Sequence, residues 1–211
     1  MAESIRPLTK NDRQQFVTVM TKVFAKDPLF LFIFGDLYND HRAQRRARTF
    51  MGFIFDKSME RQAEAVWGLF DKDTLLGTYV VESCPAETNH SFAELYRLMI
   101  LIFRLSLQLP PKMTWQLNRY MRVTRAHAPS IPHHYLTIIG VRKEAQGAGR
   151  GRNLLEHIFG TIGSVELSLD TEKKENVTLY KKFGFVLTDV VKCGPINVYC
   201  MRKTIRPRQK N

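Results

Sequence analysis

The segment Gln146-Gly147-Ala148-Gly149-Arg150-Gly151 constrains this chain more than any other. It lies between an apolar run that ends at Val141 and an apolar-periodic stretch that opens at Leu154. An extended run, a glycine-rich turn and a helix start, in that order, predict a strand–loop–helix unit. Glycine has no Cβ, so bare backbone can approach a ligand. The first turn of a helix leaves its N–H groups unpaired, and the helix dipole places partial positive charge there. The unit is therefore an anion site suited to a phosphorylated ligand. A P-loop requires Lys and then Ser or Thr after the last glycine, whereas Arg152 and Asn153 follow Gly151. A dinucleotide fingerprint requires G-x-G-x-x-G directly at the strand end with an acid about 20 residues on. Asp170 supplies an acid, but the glycines run G-x-G-x-G and residues 142–146 separate them from Val141.

A third pattern, Gln/Arg-x-x-Gly-x-Gly/Ala, is filled by Gln146, Gly149 and Gly151. Downstream, Ser164 to Leu169 alternates as a strand does. In Asn176-Val-Thr-Leu-Tyr180-Lys-Lys-Phe-Gly184-Phe185, the i,i+4 spacing puts Asn176 and Tyr180 on one helix face, and Gly184 fits a left-handed helix stop. Together these motifs resemble the GNAT superfamily of N-acetyltransferases, which bind acetyl-coenzyme A. The resemblance covers residues 133–204 by motif and the N-terminal half by pattern. It implies that backbone donors at Gly147, Ala148, Gly149, Arg150 and Gly151 hold the pyrophosphate, with Gln146 bracing the turn. Main-chain groups of Ile139 and Val141 would pair with pantetheine, Asn176 would contact the coenzyme, and Tyr180 would protonate the departing thiolate.

The 211 residues suit a single domain spanning 1–211, and 44% apolar content is enough for a core. No run of 18 apolar residues occurs, so no membrane span is expected. The N-terminus lacks a basic-then-apolar signal pattern, which argues for the cytoplasm. Cys84, Cys193 and Cys200 have neither metal-site nor disulfide-framework spacing, and no metal is expected. The net charge of +12 would steer an anionic ligand such as coenzyme A. Arg42, Arg45, Arg46 and Arg48 crowd one helix, and Arg202 to Lys210 form a basic tail. No exposed aromatics interleave with these clusters in a known module, which argues against nucleic acid as a partner.

Ser4 to Leu8 reads as a strand, and a helix follows Thr9-Lys-Asn-Asp12 until Asp27-Pro28 stops it. Pro28 to Tyr38 reads as an aromatic-rich connector and His41 to Arg61 as a helix. Ala65 to Phe70 and Leu75 to Glu82 form a hairpin-like pair of strands. Phe92 to Leu109 and Thr114 to Arg122 look helical within an insertion at about 83–132. His134 to Val141, the loop helix, Ser164 to Leu169, the Asn176–Tyr180 helix, Phe185 to Val191 and Asn197 to Thr204 complete the chain. This order predicts an α/β chain of the α+β mixed-sheet kind. A mostly antiparallel central sheet carries helices on both faces, and two parallel strands are joined by a right-handed crossover helix. The GNAT resemblance implies an acyl-CoA N-acyltransferase fold in which those two strands splay apart to admit the coenzyme. It also implies inserted helices that cap the acceptor site.

Acetyl transfer from a thioester to an amine needs a neutral amine, a donor for the carbonyl oxygen and a proton for the sulfur, but no metal and no protein nucleophile. The expected reaction is direct transfer of acetyl to the primary amine of a small molecule in a ternary complex. His133 and His134 open the strand beside the reactive carbon and are candidate bases. Alternation counted back from Val141 puts Thr137, Tyr135 and His133 on one face, which favours His133 unless a bulge intervenes. Glu82 is a further candidate base, and its plain reading is a solvated strand-end charge. His157 reads as a rim residue, while His41, His90 and His127 have no partner pattern. Phe30, Phe32, Phe34, Tyr38, Tyr96, Phe103, Trp115 and Tyr120 suggest a partly apolar acceptor pocket, and the basic balance argues mildly against polyamines. Two rivals stand. One is a protein or peptide N-acetyltransferase, if the insertion leaves an open groove. The other is a non-enzymatic acyl-CoA sensor or nucleic-acid-binding module. Homodimers are common in the family, and no residue settles the oligomeric state.

Overall fold

The strand that leads into the glycine loop lies at the centre of a seven-stranded sheet. In the computed structural model, which describes residues 3–61, 64–84, 92–163 and 165–205, the chain runs through seven strands and seven α-helices. They are β1 (Ser4–Pro7), α1 (Arg13–Val23), α2 (Pro28–Phe34), α3 (His41–Glu60), β2 (Glu64–Asp71), β3 (Thr74–Cys84), α4 (Phe92–Gln108), α5 (Pro111–Ala126), β4 (His133–Val141), α6 (Arg150–Thr161), β5 (Glu166–Thr171), α7 (Lys174–Lys182), β6 (Val186–Cys193) and β7 (Ile196–Thr204). Ser164, His90 and the tail beyond Ile205, all named above, lie outside the described residues.

The sheet order is β1-β2-β3-β4-β5-β7-β6. Every neighbouring pair is antiparallel except β4–β5, which is parallel, as a strand–helix–strand crossover requires. Side chains alternate between two apolar layers. Phe70, Leu75, Val80 and Ile138 pack under α1 to α5, while Leu69, Tyr79, Val81, Leu136, Leu167 and Leu169 pack under α6 and α7. None of the described helices is long and apolar enough to cross a membrane.

Two local features depart from the pattern read in the sequence. Asp27-Pro28 ends α1 but also starts another helix, so the expected connector is in fact α2. The Asp27 carboxylate accepts a hydrogen bond from the Leu29 amide at 3.0 Å, and Pro28 fills the first helical position, where no N–H is needed. In β4, Val80 pairs with Ile138 and Val81 with Leu136, which leaves Thr137 as a bulge residue. The bulge reverses the parity counted from Val141. Leu136, Ile139 and Val141 therefore face α6 and α7, whereas Ile138 and Gly140 face α1, where a Cβ on Gly140 would meet Val23 at 2.7 Å. Tyr135 and His133 share the α1–α5 side, opposite to Val141.

Leu154, fully buried on α6, anchors the loop helix against the sheet. Leu154→Ala should cost ~2–5 kcal/mol through lost burial and the cavity left behind. Urea unfolding checks this, and a loss below about 1 kcal/mol would mean that α6 does not depend on that contact.

Candidate active site

The glycine loop takes the geometry that its composition permits. Gly147 has φ of +87° and Gly149 has φ of +75°, left-handed values that side-chain-bearing residues avoid. A Cβ built on Gly147, Gly149 or Gly151 would meet nothing within 4 Å, so the loop presents bare backbone to open space. Gly149 caps α6 without any side-chain cap, and the amides from Gly147 to Arg152 donate no hydrogen bond among the described residues. The Gln146 side-chain amide donates to the Val141 carbonyl at 2.9 Å and braces the turn. Arg150 bonds the Ala145 carbonyl at 2.9 Å and pairs with Glu3 at 2.6 Å. That fixes its side chain away from the loop opening and leaves its amide as the ligand-facing group. Beside the loop lies a cleft of about 920 Å³ whose lining includes Gln146, Lys22, Lys26, Arg142, Lys143 and Lys173. The cleft meets the loop at Gln146, and its five cations outnumber its one carboxylate, Glu144, a balance that suits a polyphosphate.

From the loop, the site follows the edge of β4. The parallel pairing of β4 with β5 spans only His133↔Glu166 to Leu136↔Leu169. Beyond Leu136, the stretch Thr137 to Val141, with Ile139 and Val141 in it, pairs with β3 alone, while β5 continues along β7. The two strands therefore part, and β4 presents free main-chain groups to the gap. α7 brings Asn176 and Tyr180 to the same region. The Asn176 amide donates to Thr171 Oγ1 at 2.9 Å, tying α7 to the end of β5. Tyr180 is buried, with its ring edge-on to Phe185 at 5.5 Å. Burial, and then the charge of Glu172, raise its phenol above the ordinary value, so it stays protonated at neutral pH and can donate to an anion.

On the other side of the gap stands a group of acids that sequence reasoning missed. Tyr120 of α5 donates to Glu172 at 2.6 Å, and the Tyr135 hydroxyl donates to Asp170. Asp27, at the start of α2, has Lys173 at 3.8 Å. Burial pushes the carboxyls of Asp27, Asp170 and Glu172 above the usual carboxylate range, and the Asp27 charge raises Glu172 further. The available sequence signal was the alternation Asp170-x-Glu172 at a strand end. Asp27 and Tyr120, which complete the group, are remote in sequence.

The candidate bases lie elsewhere. His133 is in the paired part of β4, with Nδ1 2.8 Å from the Ile131 carbonyl and a buried Nε2 that has no partner among the described residues. His134, on the α6 face, has a depressed pKa because it is buried and sits beside His133. Glu82 is not a solvated charge. It is buried and pairs with Arg61 at 2.8 Å, with Arg125 and, at 4.0 Å, with Lys57. Burial opposes ionisation, but these cations outweigh it and hold the carboxyl below its ordinary range. His157 bonds the Tyr79 hydroxyl at 2.8 Å and packs on Trp67 at 4.6 Å, as a structural residue does. Of the aromatics expected to line an acceptor pocket, Phe30 and Phe34 are core, while Tyr38, Tyr96, Phe103 and Trp115 are exposed. Tyr120 reaches the acids.

Because the folded-state pKa of Glu82 is depressed, its stabilisation is present above the unfolded carboxylate value and is lost as pH falls through the folded one. Glu82→Gln should cost about 1.5–3 kcal/mol at neutral pH by leaving Arg125 without its carboxylate and Lys57 and Arg61 with Glu64 alone. The gap to the parent protein, measured by urea unfolding, should close below about pH 4. A gap that does not change with pH would contradict the pairing.

No family model and no curated relative matches the chain. Solved structures resemble it along nearly its whole length at low identity. The histone acetyltransferase HPA2 and related acetyltransferase of Corynebacterium glutamicum matches with a TM-score of 0.64 and 18% identity, over 100% of this chain and 99% of that one. Arylalkylamine N-acetyltransferase 2 of Aedes aegypti gives 0.63 and 9%, over 98% and 100%. The PaiA N-acetyltransferase of Thermoplasma acidophilum, in complex with coenzyme A, gives 0.57 and 15%, over 97% and 99%. With the parted β4 and β5 and the glycine loop already in place, these likenesses establish that the chain has the GNAT acetyltransferase fold.

Proposed function

We propose that this protein is an acetyl-coenzyme-A-dependent N-acetyltransferase that moves acetyl to the primary amine of a small molecule by direct transfer in a ternary complex. The observation that carries this reading is that three features adjoin along residues 137–152: the cation-lined cleft, reached at Arg142, Lys143 and Gln146, the bare amides of residues 147–152, and the edge of β4 that β5 leaves, which ends at Val141. They offer, in order, sites for phosphates, for pyrophosphate and for an amide-bearing arm that ends in a thioester near Tyr180. Gly147, Ala148, Gly149, Arg150 and Gly151 would hold the pyrophosphate through backbone N–H groups, with Gln146 fixing the turn. Ile139 and Val141 would offer main-chain groups to pantetheine, and Asn176 would hold α7 to the site through Thr171. Tyr180 would donate to the sulfur as the carbon–sulfur bond breaks. Its raised pKa makes it a stable donor more than a strong acid, so stabilising the thiolate by a hydrogen bond comes first.

The fold neighbours include a histone acetyltransferase and an arylalkylamine acetyltransferase, so the fold alone does not choose the acceptor. The small-molecule reading rests on α5 and α2, which pack against each other on the acceptor side, where Tyr120 reaches Glu172.

Calorimetric titration with acetyl-coenzyme A, free coenzyme A and NAD tests this reading. Acetyl-coenzyme A should bind in the micromolar range and NAD should not bind, and no binding of the acetyl form would overturn the reading. Gly149→Val should abolish the heat signal, because the new side chain stands on the phosphate-facing surface and a β-branched residue is strained at a positive φ. Tyr180→Phe should leave coenzyme affinity unchanged and lower kcat on the order of 100-fold, and equal turnover in mutant and parent would remove Tyr180 from the chemistry.

A further inference from the structure

The acetyl-transfer reading leaves one requirement unmet. An aliphatic amine is an ammonium ion at neutral pH and must lose a proton before it can attack. None of the groups considered for that task in the sequence sits on the gap between β4 and β5. The two histidines lie in the paired part of β4, and Glu82 is neutralised by three cations.

Glu172 does sit there. It follows the last residue of β5, just past the point where β4 turns away. The charged and titratable groups around it come from every neighbouring element: Asp27 before α2, Tyr120 of α5, Asp170 of β5, Tyr180 of α7 and Cys193 of β6. Lys173, the next residue, leans to Asp27 at 3.8 Å. Arg125 is paired with Glu82 and lies over the Tyr135 ring at 4.3 Å. Asp170 accepts from the Tyr135 hydroxyl and the Cys200 thiol, with Arg125 and His127 within electrostatic reach. Glu172 accepts from the Tyr120 hydroxyl and makes no ion pair among the described residues, so it is the carboxylate of this group that lacks a paired cation.

A second observation points to a ligand. Ser168 is 4% exposed, and its Oγ has no hydrogen-bond partner among the described residues. It pairs in register with Tyr135 and stands two residues before Asp170, so it projects on the same face of the sheet as Asp170 and towards the acid group. A buried hydroxyl without a partner is costly, and native structures leave few of them. An ammonium group lodged among these acids could offer protons to Asp170 and Glu172 and leave Ser168 an additional donor to bond.

We propose that Glu172 is the catalytic base, and that the Asp27–Asp170–Glu172 group selects an acceptor that enters as an ammonium ion and carries no carboxylate of its own. This rests on the acetyl-transfer reading above. In the step, Glu172 takes one proton from the ammonium. The freed nitrogen lone pair attacks the thioester carbonyl carbon, and the carbon–nitrogen bond forms as the carbon–sulfur bond breaks. The nitrogen sheds its second proton, the thiolate gains one by way of Tyr180, and one proton passes from Glu172 to solvent. The products are the acetamide, coenzyme A and one proton. Tyr120 is a positioning residue that aims the Glu172 carboxylate. The raised pKa of Glu172 suits a base working near neutrality, because an entering ammonium lowers it again to the ionised form.

The test uses the full chain, phenethylamine, and phenylalanine, which is the same amine with a carboxylate added. Coenzyme binding is measured first. If acetyl-coenzyme A does not bind, the acetyl-transfer reading itself fails, and Glu172 with it. If it binds, phenethylamine should be acetylated and phenylalanine at least about tenfold less well, as expected when a like charge meets a buried carboxylate. Glu172→Gln should lower kcat/KM for phenethylamine about 100-fold or more, as loss of a general base does. Coenzyme affinity should be unchanged, the acidic limb set by Glu172 should disappear, and the rise of activity that remains should follow the titration of the amine itself at higher pH. Tyr120→Phe should shift that limb and keep it, whereas the exposed Glu175→Gln should behave as the parent. A Glu172→Gln enzyme that is stable and binds coenzyme but keeps both rate and acidic limb overturns the base assignment. Equal use of phenylalanine and phenethylamine, or acetyl-coenzyme A binding with neither amine turned over, overturns the acceptor class.

Discussion

The structure depends on the loss of pairing between β4 and β5 after Leu136↔Leu169. A parallel pair that continued to Val141 would satisfy the backbone of β4 and close the sheet, leaving no place for an extended ligand. Because the strands part, β4 has an edge in the middle of a sheet, and such an edge is a template for anything carrying amide groups. The parting is held open from both ends. The Thr137 bulge alters the course of β4, β5 is bound along its length to β7, and the β5–α7 junction is tied by Asn176 to Thr171. Asp170 and Glu172 then stand just past the point where the strands part, and the glycine loop follows the free end of β4.

Charge is sorted between those two places. The chain is strongly basic as a whole, and Lys22, Lys26, Arg142, Lys143 and Lys173 gather where phosphates would lie. At the other place the sign reverses, with Asp27, Asp170 and Glu172 converging through contacts with Tyr120 and Tyr135. Lys173 touches both regions, lining the cleft and lying 3.8 Å from Asp27. The overall charge argued mildly against a polycationic acceptor, but exposed charges more than about 10 Å away are largely screened by salt, whereas the buried acids act on an acceptor at short range. The local balance therefore favours a cation.

Motifs that act through contiguous backbone were legible from the start. Gly147, Gly149 and Gly184 adopt the positive φ that their places in the pattern require, and Gln146 braces the turn as expected. The helical insertion and the parallel pair stand where periodicity put them. The misreadings share a cause, namely that each depended on a neighbour remote in sequence. Asp27-Pro28 serves equally as a stop and a start, and the choice fell to helix because Phe30 and Phe34 bury against Phe24 and Phe50. The parity of His133 hinged on a bulge that shows only when β3 is laid beside β4. Glu82 looked solvated because Lys57, Arg61 and Arg125 are distant along the chain.

By itself, then, the sequence determined the elements, the glycine turn with its left-handed residues and the helix that carries Tyr180, because dihedral preferences and hydrogen bonds within a few residues decide those. Only the tertiary structure decided where the sheet opens, which carboxylates stay ionised and which acids gather at the gap. Those outcomes depend on burial and on charges brought together from α2, α5, β5 and α7, and a one-dimensional spacing does not encode them.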